Sequence, residues 1–311
     1  MKTQNRHIDF SAILGEIASE IADLPAKGKV ADYIPALARI DPDQYAVSVQ
    51  TVDGEEYGHG CVDTPFSIQS ISKVLTAIMV LKEEDILLWE RVGVEPSGNA
   101  FDSLVQLEYE SGIPRNPFIN AGALVVTDEL LEIYDDPKKF LITGVQKLSG
   151  DDDVNYDTEV ATSEYETSDR NRALGHYLKS QGNLKNEVEA VLDLYCHQCS
   201  IAMSARSLAR SFLFLANDGV IPLRDHRVLS PSQSRRINSV MLTCGFYDQA
   251  GEFAYLVGMP GKSGVGGGIV AVVPGHLSIA VWSPRLNEHG NSVFGVETLR
   301  LFTDKTGLAI F

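Results

Sequence analysis

Ser70 and Lys73 stand three apart in "FSIQSISKVL", Phe66 to Leu75. On a helix, positions three apart share a face, so the hydroxyl and the amine point the same way. A serine is a weak nucleophile until a neighbouring base takes its proton. A lysine serves as that base once burial lowers its pKa. Free backbone N–H groups at a helix start can polarise a carbonyl. The pair therefore suits acyl transfer through a serine ester. Two other serines compete for the role. Ser72 is adjacent to Lys73 and projects elsewhere, and Ser67 lies one turn earlier and reads as an N-cap or loop residue. Taken alone, S-x-x-K also describes an ordinary capped helix that carries a lysine.

A second stretch changes that balance. "GKSGVGGG", Gly261 to Gly268, puts Lys262-Ser263-Gly264 on or beside a strand. It resembles the K-T-G strand that faces the serine in penicillin-recognising enzymes. A strand there offers N–H groups for an oxyanion, and glycines let a substrate come close. A phosphate loop is excluded. Its first glycine would fall at position 256, which is Leu256, and a helix should follow where a strand-like run does.

The elements that must hold these residues follow a clear order. Tyr45 to Val52 alternates as a strand, Asp53-Gly54 marks a hairpin, and a second strand follows. From about Ser70 to Met241 the period is helical, broken by loops such as "VGVEPSGNAFDS" and "IPRNPFINAG". "EFAYLVGMPGKSG", "GGIVAVVPG" and "LSIAVWSPR" then read as three strands, and the chain closes in a helix. The expectation is an α+β fold, with a five-stranded antiparallel sheet covered by the terminal helices. Residues 1–66 and 246–311 form a sheet lobe and residues 67–245 a helical lobe. The site lies where the lobes meet.

Composition narrows the function. The 311 residues carry 26 Lys+Arg against 42 Asp+Glu, a net charge of −16. Nucleic acid and anionic membranes both call for a basic face, so neither is expected as a partner. No run approaches the roughly 20 apolar residues of a membrane helix. "MKTQNRHIDFSAILGEIASE" reads as an amphipathic first helix, not a signal peptide, and a cytoplasmic location is the default. Of four cysteines, Cys196 and Cys199 have the spacing of half a zinc site, but no second C-x-x-C exists. They read as buried free thiols. "GDDDVNYDTEVAT" imitates a calcium loop but has Tyr156 and Thr162 where glycine and glutamate belong. "SGN", Ser97 to Asn99, imitates the lactamases' S-x-N element from within a loop. The histidines form no ligand cluster, so no metal and no cofactor are expected.

The chain as a whole resembles the serine-dependent glutaminases, whose fold is shared with β-lactamases and penicillin-binding proteins. The resemblance is carried by collinear blocks. These are "GKVADYIPALA", "FSIQSISKV", "PSGNAFDSLVQLE", "GIPRNPFINAGALVV", "SEYETSDRNRALG", "LYCHQCSI", "CGFYDQAGEFA" and "GMPGKSGVGGGIVAVVP". It implies that Ser70 is the nucleophile and Lys73 the base, with Tyr33 and Tyr247 near the reacting centre as proton relays. It implies that Val265 and Ser70 supply the oxyanion N–H groups. Asn120, Glu164, Asn171 and Tyr195 then hold the amino-acid end of L-glutamine. The implied reaction is hydrolysis of the side-chain amide through a γ-glutamyl ester, in a homodimer or homotetramer. A β-lactamase or transpeptidase on the same fold, or an amino-acid sensor using the same pocket, are the competing readings.

Overall fold

The computed structural model of the chain describes residues 8–83, 85–222, 224 and 226–311. Its first helix, α1 (Phe10–Ala22), buries Phe10, Leu14, Ile17 and Ile21, a spacing that gathers one apolar face. Asp9 caps it by accepting the Ala12 N–H at 3.0 Å. Residues 1–7, part of the expected first helix, lie outside the described residues. β1 (Ala46–Thr51) and β2 (Glu56–Gly60) make the expected hairpin, with Gly54 at φ 91°.

Three strands return near the C-terminus: β3 (Gly261–Ser263), β4 (Gly268–Val273) and β5 (Leu277–Trp282). The sheet order is β2-β1-β5-β4-β3, antiparallel throughout, as the sequence implied. Val47, Val49, Ile269, Ala271, Ile279 and Val281 join α1 and the terminal helix Val293–Thr306 in one core. Their neighbours Ala46, Val270, Val272, Ala280 and Trp282 turn to a second core shared with the middle of the chain. The period of two thus buries both faces of the central strands, which is why they read as continuous apolar runs.

One expectation is corrected. "EFAYL" is not strand; Ala250–Leu256 is a short helix. Ala250, Phe253 and Val257 are buried at spacings of three and four, and the Phe246 and Phe253 rings stack. That period is helical, and it outweighs the β-propensity of the aromatics. Only Gly261–Ser263 pairs with the sheet.

The middle of the chain is helical as expected. The helices that carry the site are α2 (Ser72–Glu83), α3 (Asn120–Ile133), α4 (Thr158–Glu166), α5 (Asp169–Ser180) and α6 (Val188–Cys199). Residues Ser72 to Leu81 of α2 are all buried, so this helix is enclosed on every side. Gln198 on α6 ties three of these helices together. Its Oε1 accepts from Thr76 of α2 at 3.0 Å and from Thr127 of α3 at 3.2 Å. Among the described residues no helix is long and apolar enough to cross a membrane.

Candidate active site

The three serines of "FSIQSISKVL" have three different environments. Phe66–Ser67 pairs antiparallel with Ile201–Met203, and Ser67 Oγ donates to the Cys199 carbonyl at 2.8 Å. Ser67 is therefore a strand residue fixed to the end of α6, not a helix cap. Ser72 is fully buried and donates to the Gln69 carbonyl at 2.7 Å, which braces the turn from inside. Ser70 sits between them in a 3₁₀ turn, Gln69–Ile71, that runs into α2. Its side chain lines a cavity of about 320 Å3. Gln69 holds φ at 51°, a left-handed conformation unusual for a side chain of its size.

The link between β3 and β4 lies directly against this turn. A Cβ on Gly264 would stand 2.4 Å from the Ile68 carbonyl oxygen, and one on Gly266 2.2 Å from that of Ser67. Only bare backbone fits there. Gly267 N–H closes the link as a tight turn on the Gly264 carbonyl at 3.0 Å. Val265 occupies the second position of that turn, whose N–H takes no part in the closing bond. It makes no hydrogen bond among the described residues, so it is a donor available beside Ser70.

Lys73 is 1% exposed. Its Nζ donates to Asn120 Oδ1 at 2.7 Å, and Tyr195 Oη donates to the same oxygen at 3.3 Å. Asn120 Nδ2 in turn donates to Asn171 Oδ1 at 2.8 Å. Asn120 is thus not merely a residue at a helix start; it joins Lys73 to the α5 side of the pocket. Burial lowers the Lys73 ammonium to about 8, with Cys199, Glu164 and Asp102 pulling weakly the other way. A lysine tuned so is a usable proton acceptor near neutral pH.

Glu164 shows the opposite response to the same enclosure. Burial raises its carboxyl to about 7, while Lys73 and the Gln69 side chain hold it down. Tyr247 is 6% exposed and also holds a left-handed φ, 54°. Burial lifts its phenol to about 12, and the Ser70 and Ser263 hydroxyls act against the rise. Tyr33 is 55% exposed over the residue as a whole and lines the cavity. Burial first, then Tyr247 and Glu164, push its phenol well above the ordinary range. Lys262 lies beneath these groups, fully buried. It donates to the Ser263 carbonyl at 2.6 Å, and its Nζ stands 4.5 Å from the Tyr247 ring centre. Burial and the neighbouring Lys73 push it well below the usual lysine range.

Eight of the nine residues picked out from sequence line the one cavity: Tyr33, Ser70, Asn120, Glu164, Asn171, Tyr195, Tyr247 and Val265. The ninth, Lys73, stands behind Asn120. Seven further lining residues escaped the sequence reading, Gln69, Asp102 and Arg170 among them. Gln69 bonds to Ser67 Oγ at 2.9 Å as well as reaching Glu164. Arg170 and Asp102 close the rim, with Arg170 Nε donating to the Asp102 carbonyl at 2.9 Å. Gln69 adjoins Ser70, which was a signal; the rim pair lies 68 residues apart in sequence and gave none. A larger cavity of about 410 Å3, lined by Ile78, Met79 and Phe140, holds no comparable set.

The decoys have other work. The four cysteines are free, and Cys196, Cys199 and Cys244 are buried. Asp157 caps α4, and Asp151 accepts from Ser207. Ser97 Oγ donates to Gln106 at 2.6 Å, away from the cavity.

This geometry has known counterparts. A family model described as Glutaminase matches residues 28–311. A glutaminase of Streptomyces coelicolor is 54% identical over 302 residues, covering 97% of this chain and 98% of that protein. One of Christiangramia forsetii is 51% identical over 304 residues, covering 98% and 100%. Among solved structures, a probable glutaminase named ybaS superposes with a TM-score of 0.90 at 36% identity over 97% of both chains. A probable glutaminase from Bacillus subtilis, complexed with 6-diazo-5-oxo-L-norleucine, superposes at 0.88 with 33% identity, covering 100% and 99%. The fold is the β-lactamase-like fold of these proteins.

Proposed function

This chain belongs to the glutaminase family, and from that premise we propose how its site cleaves glutamine. The chain is an amidohydrolase that converts L-glutamine to L-glutamate and ammonia. In our reading Ser70 is the nucleophile and Lys73 its base. Glu164 receives the substrate ammonium, and Asn120, Asn171 and Tyr195 hold its carboxylate. Lys73 takes the Ser70 proton as the oxygen attacks the amide carbon. The tetrahedral oxyanion lies against the N–H groups of Ser70 and Val265. Ammonia leaves with a proton delivered through Lys73, Tyr33 or Tyr247. Water, deprotonated by the same base, then cleaves the γ-glutamyl ester. Side chains, backbone N–H groups and water suffice for every step.

The observation that carries this reading is Lys73: buried, lowered to about 8, and held by a neutral amide one turn from Ser70. A carboxylate in place of that amide would keep the lysine charged. The test is labelling. 6-Diazo-5-oxo-L-norleucine carries an electrophilic carbon where glutamine has its amide, so mass spectrometry should find it on Ser70. Ser70→Ala should lose both the label and ammonia release. Full ammonia release by Ser70→Ala, or a penicillin adduct without glutamine turnover, would overturn the assignment.

The proposal extends to the molecule's setting. It divides the chain into a sheet lobe, residues 1–66 and 246–311, and a helical lobe, residues 67–245, with the site between them. Two separate apolar cores on the two faces of the sheet support that division. Action in the cytoplasm as a homodimer or homotetramer completes it.

A further inference from the structure

The larger cavity, about 410 Å3, shares no lining residue with the one at Ser70. It lies along the far half of the same helix. Ile78, Met79 and Lys82 of α2 line it, and Ile78 comes more than one turn after Lys73. The helix Pro137–Ser149 contributes Phe140 and Leu148, and the small hairpin of Val220–Ile221 and His226–Arg227 contributes Ile221. Tyr134 stacks on Phe140 with ring centres 3.5 Å apart. The walls are thus chiefly apolar. The charged residues are of another kind. Lys82, Lys139 and Lys147 line the cavity and are exposed, and none of them pairs with a carboxylate among the described residues. Elsewhere Lys29, Lys138, Lys179, Lys185 and Lys305 all do. In a chain of 42 acids and 26 bases, unpaired cations gathered at one opening are the exception. Arg224 adds a fourth cation close by, its Nη1 donating to the Lys147 carbonyl at 3.3 Å. Two acids line the cavity, Asp135 and Asp136, and Asp136 is engaged as a helix cap, accepting the Lys139 N–H at 3.1 Å.

An apolar chamber of a few hundred Å3 with a few polar groups at its edge is the usual form of a small-molecule site. The lining fixes the chemistry of the occupant. Three lysines against two aspartates leave one positive charge, which a single anionic group balances. The rest of the surface calls for hydrocarbon. A CH2 group is about the size of a water, whose share of liquid volume is roughly 30 Å3, so the chamber has room for about twelve carbons. We propose that this cavity is a second binding site, which takes a fatty carboxylate of about eight to twelve carbons, its chain against the apolar walls and its carboxylate among Lys82, Lys139 and Lys147. The lysine ammonium groups then supply charge-assisted hydrogen bonds to both carboxylate oxygens. The site is independent of glutamine, because the two cavities have no residue in common. The ligand binds the folded chain alone, so it raises the melting temperature as its concentration rises.

The test is calorimetric titration of the full chain with octanoate, decanoate, dodecanoate and tetradecanoate, each kept below its micelle concentration. One molecule should bind per chain. Each added CH2 should tighten binding about fourfold as far as dodecanoate, and the gain should then stop. Decan-1-ol has the same chain without the charge and should bind at least about tenfold more weakly than decanoate. Replacing the two helix lysines together, Lys139→Met with Lys147→Met, keeps their apolar stems and should erase that preference, with decanol affinity held within about twofold. Thr143→Trp, which fills the cavity from the helix, should weaken decanoate and decanol alike by at least about tenfold, with ammonia release from glutamine within about twofold. If Thr143→Trp does not fold, the lysine replacements decide the matter. Saturating L-glutamate should leave the decanoate affinity unchanged. Decanoate that does not bind, or that L-glutamate displaces, overturns the proposal. So does an affinity that goes on rising past dodecanoate, as adsorption would, or a preference for decanoate that survives loss of both lysines. Cosedimentation with phosphatidylglycerol vesicles in place of decanoate binding would overturn it too, and would assign the lysines to a membrane surface.

Discussion

Lys73 and Glu164 share one enclosure and are moved in opposite directions by it, toward about 8 and about 7. Lys73 works as a base only when neutral, which it is above about 8. Glu164 attracts an ammonium only when ionised, which it is above about 7. Protonating either group costs activity, so kcat/KM should rise with pH through the interval from about 6 to 9 and show no falling limb there. A sharper test uses Asn120→Asp. A carboxylate 2.7 Å from Lys73 Nζ stabilises the ammonium, and an opposite charge at that range raises a pKa by about 1–3 units. The Lys73 limb of the kcat profile should move up by that much. A limb that stays at about 8 would mean that Lys73 is not the base. The sequence picked out Ser70 and Lys73 together, because the spacing of a helix turn is local. It did not show that Asn120 is the partner of Lys73, because that bond spans 47 residues and depends on how α2 and α3 pack.

The link between β3 and β4 shows the same limit for whole elements. From sequence its glycines promised close approach to a substrate. In the fold they approach the backbone just before Ser70, since Gly264 and Gly266 meet the carbonyls of Ile68 and Ser67. The link sets where Val265 stands relative to Ser70. Gly266→Ala must push the two segments apart by enough to relieve a 2.2 Å contact. Such overpacking costs about 1–3 kcal/mol, which the fold tolerates. Misplacing an oxyanion donor by about 1 Å costs roughly a hundredfold in rate. Gly266→Ala should therefore keep its circular dichroism while kcat falls by about that factor with KM little changed. Equal kcat in the two proteins would remove the link from the positioning of the oxyanion hole. The strands β4 and β5 were legible because burial on both faces writes long apolar runs. "EFAYL" was misread because aromatic content stood out and the buried spacing of Ala250, Phe253 and Val257 did not.

At the scale of the molecule, charge and exposed apolar surface act against each other. The chain carries −16, so two copies repel. Yet Val94, Val105, Tyr109 and Ile113 are all exposed, Tyr109 at 85%, and all fall within twenty residues. Single exposed apolar side chains are ordinary; a concentration of them in one stretch points to a contact. A symmetric pair uses the same stretch from both copies, so each apolar side chain counts twice. The repulsion is long-ranged and screened by salt, with a Debye length of about 10 Å at 0.1 M, whereas the apolar contact is not. Assembly should therefore tighten as sodium chloride rises. Light scattering should give a multiple of 34.0 kDa, with dissociation on dilution shifted to lower protein concentration in high salt. Tyr109→Glu adds a charge to each side of the contact and should yield monomers at concentrations where the parent protein is assembled. A mass of 34.0 kDa at every salt concentration would refute a homo-oligomer outright. An assembled Tyr109→Glu would place the contact on another face.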